Sequence, residues 1–308
     1  MIQFSLVIPV YNEELIIEQL FSRCIRAMEK ITDQFEIICV DDGSTDRTLE
    51  KLLQFHYIDK RFKILSLSRN FGHQAAILAG ITYSKGEYVG IIDGDLQDPP
   101  EVLHLFYGKI KEGYDVAYAV RKKRKEGIIK KCVYWVFYRI LRKISSVNIP
   151  LDSGDFSVMR RCVADNMISM PEQSLFLRGI RSWVGFKQVG VEYERDKRVA
   201  GEPKYTFRKL FLLAYNGIFS FSNFPVKILS RLGFLVTTFS FVYICITLFK
   251  KFVYGNVPQG FTSIIIFLTL FSGVQLLALG LIGEYVIRIY DESRKRPLFI
   301  IRDKYLED

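Results

Sequence analysis

The 308-residue sequence is poor in the residues that build a disulfide scaffold or a zinc site, with five cysteines and three histidines. Cys24, Cys39, Cys132, Cys162 and Cys245 show no Cys-x-x-Cys spacing, and an odd number argues against a disulfide framework, so reduced packing residues are expected. His56, His73 and His104 are too dispersed to suggest zinc. No Gly-x-Gly-x-x-Gly follows the first apolar run, and no Gly-x-x-x-x-Gly-Lys-Ser/Thr occurs anywhere. A dinucleotide fingerprint and an ATPase-type phosphate loop are thereby excluded, and the charge of a phosphorylated ligand must be met by a metal ion or by basic side chains. Internal repeats and low-complexity linkers are missing too. Met1 to Val10 has no basic start, so no signal peptide is expected.

Short β-branched and aromatic runs alternate with helical patterns over the first 120 residues. Strands are expected at Phe4–Val10, Phe35–Val40, Phe62–Leu67, Glu87–Ile92 and Asp115–Ala119. Helices are expected from Glu13 to about Lys30, from about Asp46, from Gly72 to Tyr83, and after Pro99-Pro100 with Asp98 as N-cap. This succession predicts an α/β fold with a mostly parallel sheet and helices on both faces. Three strands run into acidic tips: Tyr11-Asn12-Glu13-Glu14, Asp41-Asp42-Gly43-Ser44-Thr45-Asp46 and Asp93-Gly94-Asp95. In such sheets ligands bind beyond the carboxyl ends of the strands, so the tips should converge on one site. An isolated Asp-x-Asp is often a solvated turn; it is the repetition of acid at three strand ends that argues for function. Asp93 and Asp95 are spaced to share a hard divalent cation, Mg2+ or Mn2+, whose shell substrate phosphates commonly complete.

Charge avoids the C-terminal third. Leu232–Phe249 has no charged residue, and a second uncharged run covers Phe252–Gly283, with Pro258 and Gly260 marking a turn. About 20 residues of helix cross a bilayer, so both runs are long enough, the first marginally, and a membrane hairpin is expected at about 232–250 and 261–284. It would follow a domain at 1–225 and precede a tail at 288–308. Lys227 and Arg231 flank the first run, and Arg288, Arg294, Lys295 and Arg296 follow the second, against Lys250 and Lys251 in the turn. The positive-inside bias puts both outer flanks, and the N-terminal domain, in the cytoplasm of a multi-pass inner (plasma) membrane protein. The net charge of +10 includes Arg121-Lys122-Lys123-Arg124-Lys125. Behind it, 127–145 has a basic, aromatic-flanked helical pattern, as does 205–221, which favours the lipid bilayer over nucleic acid as the anionic partner. Ordinary amphipathic helices packed on the domain would show a similar pattern.

Val7-Ile8-Pro9-Val10-Tyr11-Asn12-Glu13-Glu14, the Asp41–Asp46 tip, Arg69-Asn70-Phe71-Gly72 and Asp93-Gly94-Asp95-Leu96-Gln97-Asp98-Pro99-Pro100 together resemble the inverting family-two glycosyltransferases, which have the GT-A nucleotide-sugar fold. Gly154-Asp155-Phe156, Arg198 with Gly201-Glu202-Pro203-Lys204-Tyr205, Phe219-Ser220-Phe221-Ser222 and Gly283-Glu284-Tyr285 extend the resemblance over nearly the whole chain. They match the polyprenyl-phosphate branch, the bactoprenol glucosyltransferases related to dolichyl-phosphate mannose synthase.

That resemblance implies a nucleotide-sugar donor, with UDP and glucose favoured, and a polyprenyl (undecaprenyl) phosphate acceptor. It assigns Pro9, Tyr11 and Glu13 to the nucleoside, Asp42 to the base, and Asp93 and Asp95 to donor and metal. Gln97 lines the same pocket, and Asp155 falls near the attacked sugar carbon. Arg198 and Lys204 fall in a basic segment over the phosphates, and Arg121 near the acceptor phosphate. Glycine at position 94 replaces the more frequent alanine. A lipid phosphate is largely ionised at neutral pH, its second pKa being about 6, so Asp155 need not be an indispensable base. Asp42 as a cap of the following helix, Arg198 and Lys204 as a solvated loop, and Gly154-Asp155 as a plain turn remain open. A processive polysaccharide synthase should carry Gln-x-x-Arg-Trp, which Arg181-Ser182-Trp183 does not supply. A non-catalytic anionic-lipid-binding module is the alternative of another class. The anchor leaves room for a homo-oligomer, and the sugar is not legible.

Overall fold

A computed structural model describes residues 2–121, 153–170, 172–173, 175–195, 224–254 and 260–306. The chain divides into two compact units, one built from 1–143, 147–217 and 297–308, the other from 144–146 and 218–296.

The first unit is an eight-stranded sheet. Its strands are β1 (Phe4–Val10), β2 (Phe35–Asp41), β3 (Phe62–Leu67), β4 (Tyr88–Ile91), β5 (Val116–Arg121), β6 (Ser153–Arg160), β7 (Gln188–Tyr193) and β8 (Ile301–Tyr305). They lie in the order β7-β5-β6-β4-β1-β2-β3-β8. Neighbours in the run β4-β1-β2-β3 are parallel, as are β5 and β7, whereas β6 and β8 run antiparallel to their neighbours. Every residue of β1, β2, β3 and β4 is buried, as expected of parallel strands covered on both faces.

Helices α1 (Ile17–Glu29), α2 (Thr48–Ile58), α3 (His73–Tyr83), α4 (Leu103–Lys111), α5 (Arg161–Ile168) and α6 (Leu177–Trp183) complete the unit. The period-two pleat sorts the core onto two faces. Leu6, Ile8, Ile37, Cys39 and Ile64 pack with Leu20, Phe21, Cys24 and Met28 of α1, while Ile38, Val40, Leu65 and Leu67 pack with Ala76 and Ala79 of α3.

The strands expected from residues 4–67 fall where the pattern put them, to within a residue. α1 starts later than expected because Glu13 and Glu14 are tied to the next loop: Glu13 N donates to Thr48 Oγ1 (2.8 Å) and Glu14 N to Asp46 Oδ2 (3.3 Å). The expected cap at Asp98 is corrected. A 3-10 turn, Pro100–Val102, leads into α4 without a side-chain cap. Asp98, buried, instead accepts hydrogen bonds from Tyr193 Oη and from Arg195 Nε (3.0 Å). That carboxylate fastens the end of β7 to the loop after β4.

The second unit contains α7 (Phe224–Tyr254, 31 residues) and α8 (Phe261–Ser293, 33 residues), which meet at Tyr243 and Phe267 with ring centroids 5.0 Å apart. Among the described residues, one segment, Leu270–Ser293, is long and apolar enough to cross a membrane, and none of its most apolar window is buried. The apolar stretch in α7, Gly233–Tyr243, is shorter. Phe234, Phe252, Leu276 and Leu277 are largely exposed, which is not how the helices of a globular core present themselves. The amphipathic patterns at 127–145 and 205–221 lie outside the described residues.

Replacing Asp98 with alanine leaves the Tyr193 hydroxyl and the Arg195 guanidinium without their common acceptor. Urea unfolding of the full chain in detergent should show a loss of about 2 kcal/mol. A change below about 0.5 kcal/mol would contradict the fastening role.

Candidate active site

The acidic tips converge because β1, β2 and β4 are parallel neighbours that end at one edge. β6 adds a fourth acid from the opposite direction. It pairs with β4 at Ile91 and Ser157, and continuing that antiparallel register by two residues brings Asp155 level with Asp93.

Asp155 is the most elaborately held carboxylate at this edge. Arg178 of α6 donates from Nε to Oδ1 (2.9 Å) and from Nη2 to Oδ2 (3.0 Å), a bidentate clamp. Gln74 Nε2 adds a bond to Oδ2 at 3.0 Å, and Gln74 Oε1 accepts from Leu177 N at 2.9 Å, so one amide fixes both the carboxylate and the start of α6. His73 Nε2 stands 3.6 Å from Asp155 Oδ2 and 3.3 Å from Asp93 Oδ1, bridging acids that come from different strands.

Burial opposes a charge on each of these groups, but the partners prevail. Arg178 and His73 hold Asp155 well below the usual carboxylate range despite its burial, and His73 likewise lowers Asp93. Against its own burial, the bonds to Asp155 and Asp93 raise His73 well above the ordinary histidine value. Asp95 goes the other way: burial, and then the charge of Asp93, raise its pKa. Arg181, one turn beyond Arg178, is 2% exposed, and burial lowers its pKa to about 10. Its guanidinium stands over the Tyr118 ring at 5.2 Å and lines a small cavity with Asp155 and Arg178.

The two loops nearest β1 and β2 are laced together. Asn12, at φ 52°, donates from N to Ser44 Oγ (3.0 Å) and accepts at Oδ1 from Thr45 N (2.8 Å). Asp42, buried, accepts from Phe71 N (2.7 Å) and Gly72 N (3.0 Å), so its carboxylate holds the loop before α3 rather than capping α2. Thr48 N at the head of α2 donates instead to Asp46 Oδ1 (3.0 Å).

Gly94 separates the paired aspartates. A Cβ there would lie 2.8 Å from Val10 Cγ1 and 2.9 Å from the Pro9 carbonyl oxygen, so glycine lets the ends of β4 and β1 close up. Asp95 Oδ1 accepts from Gln97 N at 3.1 Å in the tight turn beyond, where Leu96 sits buried at φ 58°.

Among the described residues no three of His, Cys, Asp and Glu are grouped to cage a metal ion. The fit for a cation is of another kind. Asp93 Oδ1 is a buried charge that faces His73 Nε2 at 3.3 Å, and Asp93 and Asp95 repel each other. A divalent ion with oxygen ligands would relieve both conditions, taking its remaining ligands from elsewhere.

Pro9 lies in buried β1, with Tyr11, Glu13 and Gln97 partly buried at the same edge. Arg121 is the last residue of β5, in register with Tyr193 of β7. Arg198 and Lys204 lie outside the described residues. His73, Gln74 and Arg178 were not anticipated. The signal for the first two was positional, since they follow the Arg69–Gly72 motif at the carboxyl end of β3, the edge where ligands bind. Arg178 had no such signal in the sequence.

The sequence matches Glycosyl transferase family 2 over residues 5–167. It is 47% identical over 305 residues to the uncharacterized glycosyltransferase YkcC of Bacillus subtilis, covering 99% of this chain and 94% of that one. It is 38% identical over 304 residues to the bactoprenol glucosyl transferase of Shigella phage SfV, covering 98% and 99%. Among solved structures, glucosyl-3-phosphoglycerate synthase of Mycobacterium tuberculosis, crystallised with Mn2+, UDP-glucose and phosphoglyceric acid, aligns with a TM-score of 0.48 at 19% identity, over 75% of this chain and 80% of that one.

The Asp155 clamp has a pH signature. Folded Asp155 binds a proton less readily than in the unfolded chain, so its stabilisation is complete above the unfolded value of about 3.9 and fades as pH falls through the lower folded value. The stability gap between wild type and Asp155→Asn, taken from thermal unfolding at neutral pH, should narrow toward pH of about 3. A gap that widens on acidification would contradict the clamp.

Proposed function

Because the chain belongs to the family 2 glycosyltransferases, we propose that it moves one hexose, glucose, from a UDP-linked donor to undecaprenyl phosphate at the cytoplasmic leaflet, inverting the anomeric carbon. The observation that carries this function is the convergence of Asp93, Asp95, His73 and the Arg178-clamped Asp155 on the edge where the nucleoside loops also end. The bactoprenol relatives, matched end to end, support the lipid acceptor.

Transfer with inversion needs charge stabilisation on the departing diphosphate and an acceptor oxygen on the opposite face of the sugar. Asp93 and Asp95 would hold a divalent cation, Mg2+ or Mn2+, which supplies Lewis-acid charge to the leaving group. Tyr11 and Glu13 border the nucleoside pocket with Pro9, and Asp42 shapes its wall by fixing the amides of Phe71 and Gly72. The family resemblance assigns Gln97, Arg198 and Lys204 to the donor and Arg121 to the acceptor phosphate.

The acceptor arrives ionised and does not have to surrender a proton. A carboxylate gripped twice by Arg178 and held well below the usual range is a poor proton acceptor in any case. Asp155 therefore orients the sugar, with Arg178 and Gln74 fixing its plane, and protonated His73 keeps Asp155 and Asp93 at a set separation.

Chain connectivity supports a two-span anchor. β8 pairs with β3 in the same sheet, yet α7 and α8 lie between them in sequence. The chain must return to the side it left, which requires an even number of crossings. A single crossing by α8 would strand β8 across the bilayer from β3. The basic flanks at Lys227, Arg231 and Arg294–Arg296 make that side the cytoplasm.

Radiolabelled nucleotide sugars incubated with the detergent-solubilised full chain and undecaprenyl phosphate should yield one lipid-extractable product, from UDP-glucose. Chelation should stop the reaction and Mg2+ or Mn2+ restore it, Asp93→Ala should abolish it, and Asp155→Asn should keep more activity than Asp95→Ala. Equal losses in the last two variants would sink the orienting role of Asp155. No product from any donor would sink the reaction itself.

A further inference from the structure

The donor pocket has a contributor from the far end of the chain. We infer that β8, which follows the apolar helices, is a working part of donor binding: Arg302 positions the Asp41–Ser44 loop through Ser66, an inference that rests on the nucleotide-sugar function proposed above.

Two sets of contacts carry it. The first is polar. Arg302 Nη2 donates to Ser66 Oγ at 2.9 Å, and Ser66 Oγ donates to Asp41 Oδ2 over 3.5 Å. Asp41 Oδ1 accepts from Ser44 N (3.1 Å), and Ser44 Oγ accepts from Asn12 N (3.0 Å). A continuous line of bonds thus runs from the C-terminal strand to the backbone between Tyr11 and Glu13, in residues assigned to the nucleoside. Ser66 and Asp41 are buried at 0% and 1% exposure, where a lost partner is not replaced freely by water. Arg302 is half exposed, so its own share is moderate.

The second set is apolar and backbone. Phe299, Ile301 and Leu306 pack with Phe71 against Ile38, Val40, Leu65 and Leu67. Ser68 N donates to Ile300 O at 2.9 Å, just beyond the bulge that offsets β8 against β3 at Ser66 and Leu67. Phe71 is the residue whose amide Asp42 accepts, and Gly43 beside it sits at φ 71° with room for no Cβ, which would lie 2.6 Å from the Arg69 carbonyl carbon. The tail therefore buttresses one loop from the side and reaches the other through Ser66. An edge strand serving only to cover the sheet would need the pairing and the apolar contacts, but not an arginine aimed at the serine behind the donor loop.

The test compares Arg302→Ala, Arg302→Lys, Ser66→Ala and the Arg302→Ala/Ser66→Ala double variant in the full-length enzyme. A loop contact made equally in ground and transition states changes KM and spares kcat. Arg302→Ala should raise the KM for the nucleotide sugar about three- to tenfold, the size of one lost hydrogen bond, with kcat within about twofold. Arg302→Lys should recover part of the loss, and the double variant should be no worse than Ser66→Ala, because both act along one line. An unchanged donor KM in Arg302→Ala, additive losses in the double variant, or an equal rise in acceptor KM accompanied by a lower melting temperature would overturn the positioning role.

Hydrogen exchange at the amides of Asn12, Ser44 and Phe71 gives a readout that needs no turnover. Faster exchange at Asn12 and Ser44 in Arg302→Ala supports the relay, and unchanged exchange at both overturns it. Calorimetry of UDP and of GDP with the wild type separates the two levels. If neither nucleotide binds, the donor assignment falls, and the exchange result still decides whether Arg302 orders the loop.

Discussion

Repulsion between carboxylates gathered at one sheet edge is the constraint to which the site is built. Parallel strands that end together bring their tip residues together, and here those residues are Asp41, Asp42, Asp93 and Asp95, with Asp155 entering from the antiparallel strand. Each is accommodated differently. Backbone amides satisfy Asp42, a guanidinium and an amide clamp Asp155, and a shared histidine joins Asp93 to Asp155. Asp95 retains a raised pKa, to which the charge of neighbouring Asp93 contributes after burial. The incomplete compensation at this pair is what a cation-bound diphosphate is suited to relieve.

The legible part of the sequence was the part dictated by burial. β1 to β4 are covered on both faces, so nearly every residue in them is apolar or small, and their ends could be placed closely. β7 and β8 are only partly covered. In Ile301-Arg302-Asp303-Lys304-Tyr305 alternate positions face solvent and carry charge, which in sequence looks like a polar tail. β6 opens with Ser153-Gly154-Asp155, whose Gly-Asp pair is equally at home in a turn. Asp98 preceded two prolines and had the look of a cap, yet a tyrosine and an arginine nearly a hundred residues away claim it.

Within the site, the acids announced themselves by motif and position, and their counter-charges did not. His73 is one of three scattered histidines, and Arg178 one of many basic residues; neither has meaning until the fold sets it against Asp155. Coulombic pairing is a property of the folded state, with no periodicity to expose it. The same holds for Arg302, whose partner Ser66 is 236 residues away in sequence. That pairing also ties the acidic edge of the sheet to the segment beyond the apolar helices, because β8 follows both long helices in sequence.

The most direct test of the proposed cation centre at Asp93 and Asp95 is electron paramagnetic resonance of Mn2+ titrated into the full-length protein, with and without UDP. The account predicts weak Mn2+ binding alone, markedly tighter binding when UDP supplies the diphosphate oxygens, and loss of that enhancement in the Asp93→Ala/Asp95→Ala double variant. Enhancement that survives the double variant, or no response of bound Mn2+ to UDP, would contradict it.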